Sequence, residues 1–447
     1  MNIDLKTEDV DVRTVLQVKK VIKKWPAYRK YVEGLLPNPL KFENLSELPI
    51  IDKDFIAQAI HTVPLLKVRN IVPSSGSTGC EFSFGLFGID EMRKSSVAIE
   101  AFLKKKFQTD TKKMLLLNLL PGAISLHSSS VTVASIGVRT DTAISAIESL
   151  GSSFEQIILA GEPLFIKKLI EYGIEQSIVW KYLPLSIVAG GEWISESYRR
   201  YIESIIGPKR LYSSMGMAEL GLNYFFETDE TLLLRKMLVK DIRLMKALFG
   251  EAAFCPMLFS YDERSLVVET VKERGETFDS ILLTTIDSDR VLPLIRYKSG
   301  DKGKKLLWRD INRVLISLGY RPVDDTGLPV LAQFGRGRNV AGIYPERIKE
   351  LLFSSAEIAS STTGNFFISR NCETVSLEIQ CAESITPHIH LQRLFSQVFS
   401  GMPVCVSLHP FESFPHALDF ERKVRYVCES SSCRDRGREE AQLPVTV

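Results

Sequence analysis

The chain has 447 residues, 45% of them hydrophobic and 25% charged, with a formal net charge of +2. That length is enough for a large core divided into two or three domains. The near-neutral balance excludes the basic face of a nucleic-acid binder and the charge block of an acidic tail. Seven cysteines without a C-x-x-C pair fit free thiols in a reducing compartment better than a disulfide framework. The polar start Met1-Asn2-Ile3-Asp4 and the lack of an apolar run of ~18–20 residues predict a cytoplasmic chain with no membrane span.

In chain order, Val15, Val18, Val21, Ile22, Trp25, Tyr28 and Val32 recur at helical spacing, and Pro26 interrupts the pattern. Asp52-Lys53-Asp54 reads as the cap of a helix over 55–61. Ser74-Ser75-Gly76-Ser77-Thr78-Gly79 lies between strands expected over 69–73 and 81–86. Six such small residues cannot fill a core, whereas glycines that turn backbone N–H groups toward a ligand suit a polyphosphate. No Gly-Lys-Ser/Thr follows, so this is not a Walker A loop, and a Ser/Gly hairpin turn has the same composition. Cys80 follows it with no partner base to identify it as a nucleophile.

Helices are then expected over 90–107, 143–150, 165–172 and 196–206, and strands over 114–120, 131–138, 156–159 and 185–189. Such alternation predicts an α/β layer fold with a substantial parallel component. Short strands over 266–270, 280–285, 292–297 and 304–308 predict a β-rich subdomain. Phe334-Gly335-Arg336-Gly337-Arg338-Asn339 is the most linker-like interior stretch. Beyond it, helices over 345–353 and 388–399 with strands near 365–369, 374–379 and 404–408 predict a small α+β domain. The tail 429–447 reads as disordered. The expected fold class is α/β: a large N-terminal multilayer α/β domain with a β-rich subdomain over 1–335, then an α+β domain over 336–428.

Four later stretches carry chemistry. Ala189-Gly190-Gly191-Glu192 joins a strand to a helix. Ligands of α/β sheets collect at such ends, and paired glycines let a flat ring approach the backbone, although a plain tight turn looks the same. Glu219, in Tyr212-Ser213-Ser214-Met215-Gly216-Met217-Ala218-Glu219, is a carboxylate suited to a hard cation or to capping a helix. In Tyr297-Lys298-Ser299-Gly300-Asp301 a carboxylate at a strand end can accept hydrogen bonds from ribose hydroxyls, and Gly-Asp is also a common hairpin turn. Lys423 lies in the basic run Phe420-Glu421-Arg422-Lys423-Val424-Arg425. His388-Ile389-His390 offers two metal ligands without a third. His127 is a candidate for lining a substrate pocket.

Together these stretches resemble the acyl-adenylate-forming superfamily over about residues 10–428, in particular its phenylacetate–coenzyme A ligase-like branch. The resemblance implies an α/β core with a mobile C-terminal lid that pivots at Asn339, and activation of a carboxylic acid by ATP with release of pyrophosphate. It implies a phosphate loop at Ser75, Gly76, Ser77, Thr78 and Gly79. Gly190, Gly191, Glu192, Met215 and Gly216 would border the adenine, and Asp301 and Arg336 would reach ribose or phosphate. Glu219 would hold Mg²⁺, and Lys423 would be the adenylation lysine. Three positions depart from the family pattern: Cys80 for lysine, Met215 for an aromatic and Ala218 for a hydroxyl. The segment between the hinge and Tyr344-Pro345 is about five residues short, which puts transfer to coenzyme A in doubt and resembles the branch found in phenazine-antibiotic biosynthesis. The implied substrate is an aromatic or other hydrophobic acid, with coenzyme A or another acceptor and a homodimer left open. The alternative from another class is a catalytically degenerate adenylate-binding protein with a sensing or scaffolding role.

Overall fold

The computed structural model describes residues 12–428 apart from 37, 39, 74–83, 122–125, 127, 288, 372–373 and 417. The expectations for Ser75 to Gly79, Cys80, His127 and 429–447 therefore lie outside the described residues.

A hairpin of β1 (Asn70–Pro73) and β2 (Phe84–Phe87) stands apart from the main sheet. Among the described residues, eleven further strands form one sheet: β3 (Met114–Leu119), β4 (Thr132–Ser135), β5 (Gln156–Gly161), β6 (Leu185–Gly190), β7 (Leu211–Met217), β8 (Gly221–Phe226), β9 (Met257–Ser260), β10 (Leu266–Val271), β11 (Ser280–Thr285), β12 (Tyr297–Leu306) and β13 (Val330–Gln333). Their order is β10-β11-β12-β13-β9-β8-β7-β6-β5-β3-β4. Pairing is parallel from β4 to β7 and antiparallel from β7 to β10. The expected β-rich part is thus the antiparallel half of a continuous sheet. All six residues of β3, the apolar run Met-Leu-Leu-Leu-Asn-Leu, are buried, as a parallel strand covered on both faces requires.

Three local expectations are corrected. The apolar residues Leu292, Leu294 and Ile295 are buried in the core without joining a strand, and one strand, β12, replaces the two expected over 292–297 and 304–308. Trp308 opens a helix, Trp308–Ser317, burying Trp308, Ile311 and Leu315 at helical spacing. Helices Asp229–Lys240 and Ile242–Phe249, for which no element was expected, separate β8 from β9. The first is capped by Thr228, whose side chain accepts from Thr231 N, and buries Leu234 and Leu238.

The C-terminal part has its own four-stranded sheet, order β16-β15-β14-β17, built from β14 (Thr362–Asn371), β15 (Thr374–Cys381), β16 (Val404–His409) and β17 (Val427–Cys428). It docks on the core helices Pro163–Glu175 and Glu196–Ile206. Phe353 meets Tyr198 edge-on at 5.0 Å, Phe420 meets Phe165 at 5.3 Å, and Lys167 Nζ donates to the Thr362 carbonyl at 2.7 Å. Gly364, at φ +87°, lies so near Leu164 that a Cβ there would come within 2.7 Å of it. Among the described residues, no helix is long and apolar enough to cross a membrane.

Candidate functional site

The site forms where the parallel half of the sheet gives way to the antiparallel half. β6 ends at Gly190, paired with Ser214 on β7, so the Gly190-Gly191 turn and the Met215-Gly216 stretch emerge side by side at strand ends. Gly191 has φ +90° and open space around it. After β7 the chain turns through Ala218, Glu219 and Leu220 into β8, so Glu219 sits in a β-turn and caps no helix. Two supports fix that turn. Gly85 on β2 approaches so closely that a Cβ would sit 1.8 Å from the Ala218 carbonyl oxygen. Buried Arg290 donates through Nη2 to the carbonyls of Glu219 (3.3 Å) and Leu220 (3.1 Å), and its Nε pairs with Glu91 at 3.3 Å. Strand β2 therefore packs against the turn carrying Glu219.

Asp301 reaches the same place through an irregularity in β12. Ser280 pairs with Lys302 but Leu282 pairs with Lys298, which leaves extra residues of β12 around Gly300, at φ +83°. Such a bulge re-aims a side chain, and the Asp301 amide is satisfied by Ser299 Oγ at 3.1 Å. Beyond it, Lys302 N donates to the Gly335 carbonyl and Phe334 N to the Lys302 carbonyl, both at 2.8 Å. This pairing lays the hinge along β12 and sets Arg336 Nε 3.7 Å from Asp301 Oδ1. Gly335, Gly337, Ala341 and Gly342 all have positive φ, and Asn339 Oδ1 accepts from Gly342 N at 2.9 Å.

The electrostatics bring together residues from five separate parts of the chain. Burial pushes the Asp301 carboxyl above its usual range, Arg336, Lys423 and Lys53 pull it back, and Glu219 adds to the rise. Burial lowers the Lys53 ammonium, and four residues act on it: Glu219 and Asp301 raise it, and Arg336 and Lys423 lower it. Burial raises the Tyr297 phenol, with Glu219 the next cause. Glu219, Asp301, Arg336 and Lys423 thus lie within electrostatic reach of one another. Lys53 was missed, and so was any role for Tyr297 beyond its motif. Lys53 has no motif of its own. It arrives because Ile51 bridges to Tyr297 in parallel and Asp52 Oδ1 caps the next helix, accepting from Phe55 N at 3.0 Å.

Glu192 belongs to a second cluster, at the seam with the C-terminal domain. Its Oε2 pairs with Lys349 Nζ at 2.9 Å, and that ammonium also lies 4.1 Å from the centre of the Tyr426 ring. Glu162 caps its helix, accepting from Leu164 N and Phe165 N, while its Oε1 has no hydrogen-bond partner among the described residues. Glu346 Oε2 is likewise buried and unpartnered among them. Both carboxyls are pushed up to about 7, chiefly by burial, with Glu192 adding to the rise and Lys349 opposing it. A carboxyl whose pKa is raised by docking holds its proton more tightly docked than undocked. The stabilisation is complete below the ordinary carboxylate value and lost as pH rises through about 7. Docking of the C-terminal domain is expected to weaken by roughly tenfold per group between pH 6 and 8. Cleavage at exposed Ala341-Gly342, just after the hinge, by a protease corrected for its own pH profile measures this. Glu162→Gln with Glu346→Gln should flatten the profile, and an equally steep profile in the double variant would contradict the assignment.

His388 caps the helix Ile389–Val398, its Nδ1 accepting from Leu391 N at 3.3 Å, which accounts for it without a metal. Among the described residues, no three His, Cys, Asp or Glu side chains converge to hold a metal ion.

Comparison with known proteins returns no matching family model and no matching curated protein. Solved structures do match. One is 2-hydroxyisobutyryl-CoA ligase in the postadenylation state in complex with 2-HIB-AMP, with a TM-score of 0.64 at 17% identity, covering 96% of this chain and 90% of that one. The same ligase with 2-HIB-AMP and CoA in the thioesterification state gives 0.51 at 17% identity, covering 97% and 92%. An anthranilate CoA ligase in complex with anthranoyl-AMP gives 0.50 at 10% identity, covering 84% and 68%. The chain therefore has the α/β fold of the adenylate-forming acid–CoA ligases, a large core with a small C-terminal domain docked upon it.

Proposed function

We propose that this chain activates a carboxylic acid as its adenylate. The observation that carries the reading is Arg336 Nε 3.7 Å from Asp301 Oδ1, in a group where Glu219, Lys423 and Lys53, drawn from across the sequence, act electrostatically on Asp301. A carboxylate oxygen attacks the α-phosphorus of ATP, the bond from that phosphorus to the bridging oxygen breaks, and acyl-AMP and pyrophosphate result. Asp301, beside Arg336, accepts hydrogen bonds from the ribose hydroxyls. Lys423 and Lys53 offset the negative charge where carboxylate and phosphate approach. Gly190, Gly191, Met215 and Gly216 border the adenine, and the 75–79 loop cradles the phosphates. Glu219 is buried, and its carboxylate would hold Mg²⁺, a hard cation suited to carboxylate and phosphate oxygens. When bound, Mg²⁺ neutralises phosphate charge.

The better superposition on the postadenylation state supports reading this arrangement as the one for adenylate formation. The acyl acceptor is coenzyme A or another nucleophile, reached after the C-terminal domain turns about Asn339. Solved ligases of this fold carry both an aliphatic hydroxy-acyl and an aromatic acyl adenylate. The motif resemblance to the phenylacetate–coenzyme A ligase-like branch favours an aromatic acid here. ATP–pyrophosphate exchange across a panel of aryl and alkyl acids tests the reading. ATP binding with no exchange for any acid would favour the degenerate binding protein, which Met215 and Ala218 at the adenine and phosphate positions suggest.

A further inference from the structure

Lys53 and Tyr297 reach the site from distant parts of the chain, and one side chain ties the two segments together. Arg296 is 6% exposed and holds φ +48°, a left-handed conformation uncommon outside glycine. Its Nη1 donates to the carbonyls of Leu48 (2.5 Å) and Ser46 (3.0 Å), and its Nε is 3.2 Å from both carboxylate oxygens of Glu269 on β10. Its amide donates to Thr284 Oγ1 on β11 at 2.9 Å, which holds the strained backbone in place. Around it, Ile51 N donates to the Arg296 carbonyl at 3.2 Å and Lys298 N to the Ile51 carbonyl at 2.8 Å. One guanidinium thus clamps the 46–51 segment to the sheet, two residues before Lys53 and immediately before Tyr297, whose phenol interacts with Glu219.

We propose that Arg296 is a positioning residue for the nucleotide, acting through Lys53: it fixes the segment from which the Lys53 ammonium faces Asp301 and Glu219. This rests on the nucleotide-binding part of the function proposed above. Only a planar fork serves two carbonyls and a carboxylate at once. A lysine at 296 keeps the charge but cannot span all three.

The test is a double-variant cycle on ATP affinity, measured by calorimetry with the full chain and Mg²⁺, together with amide hydrogen exchange. Arg296→Lys should speed amide exchange over 46–56 and leave 345–352 unchanged. It should weaken ATP binding by roughly tenfold, the scale of one charge-assisted hydrogen bond. In a Lys53→Ala background, adding Arg296→Lys should change affinity by less than about twofold. If the two losses multiply, or exchange over 46–56 is unaltered, the inference is overturned. Should Arg296→Lys not fold, Glu269→Gln loosens the same clamp and carries the same cycle. A wild-type chain that binds no ATP would overturn both proposals. Coupled variants in a chain that binds ATP but releases no pyrophosphate would overturn the catalytic reading and support this one.

Discussion

Lys423→Ala is expected to slow acid-dependent ATP–pyrophosphate exchange by about 10²–10³-fold, the scale of removing one preorganised charge from a developing oxyanion. The residue is partly buried and its segment is anchored on both sides. Phe420 packs on Phe165 of the core. On the other side buried Tyr426 precedes β17, where Val427 pairs with Ile368 of β14. A lysine so held loses little on entering the reaction geometry, and its charge matters most once the α-phosphorus is under attack. The loss should therefore fall on turnover, with ATP affinity changed only modestly. Unfolding stability should stay within about 0.5 kcal/mol of wild type, as for a surface substitution. Exchange kinetics and denaturant unfolding of the same preparation separate the two effects. An alanine variant exchanging within threefold of wild type, taking threefold as a rough bound well inside the expected loss, would remove Lys423 from the mechanism.

Glu227→Ala is expected to destabilise the core by about 3–5 kcal/mol, the cost of leaving a buried charge without its partner. Four ionic side chains, none more than 4% exposed, meet beneath β7. Arg199 Nη2 binds both oxygens of Glu227, at 2.7 and 2.9 Å, and its Nε binds Glu196 at 2.9 Å. Arg235 Nη1 lies 3.2 Å from Glu196 and 3.7 Å from Glu227. Two carboxylates and two guanidiniums balance, so deleting one carboxylate leaves a net positive charge in a water-excluded place. Glu227 also accepts from Ser213 N at 2.7 Å, on the strand that leads to Met215 and Glu219. Its loss should therefore weaken nucleotide binding as well as stability. By contrast the Lys24–Asp289 pair, at 3.0 Å but 60% and 64% exposed, should be worth less than about 1 kcal/mol when broken. Urea unfolding of Glu227→Ala and Lys24→Ala checks the contrast, and equal losses would contradict it.

The parts of this fold legible in the sequence are those whose signal is local. The helix Glu196–Ile206 was expected with its observed ends, because Ser195 caps it and its apolar face has a helical period. The buried run of β3 and the linker-like hinge were equally plain. The reading failed where tertiary context decided. Leu292 to Ile295 look like strand residues yet fill the core between strands, and helix Asp229–Lys240 lies in a stretch for which no element was expected. The site divides the same way. Glu219, Asp301, Arg336 and Lys423 stand inside recognisable motifs. Lys53 depends on Ile51 pairing with Tyr297 far along the chain, which no local pattern announces. The family resemblance sets Glu192 beside adenine, and its carboxylate pairs with Lys349 across the domain seam, a partner only the packed structure reveals.

ATP–pyrophosphate exchange, run over aryl and alkyl carboxylic acids with the wild-type chain and Lys423→Ala side by side, tests the central claim most directly. Exchange that requires both the acid and Lys423, strongest with an aromatic acid, is the predicted result. ATP bound with no exchange for any acid, or exchange that persists in the alanine variant, would contradict it.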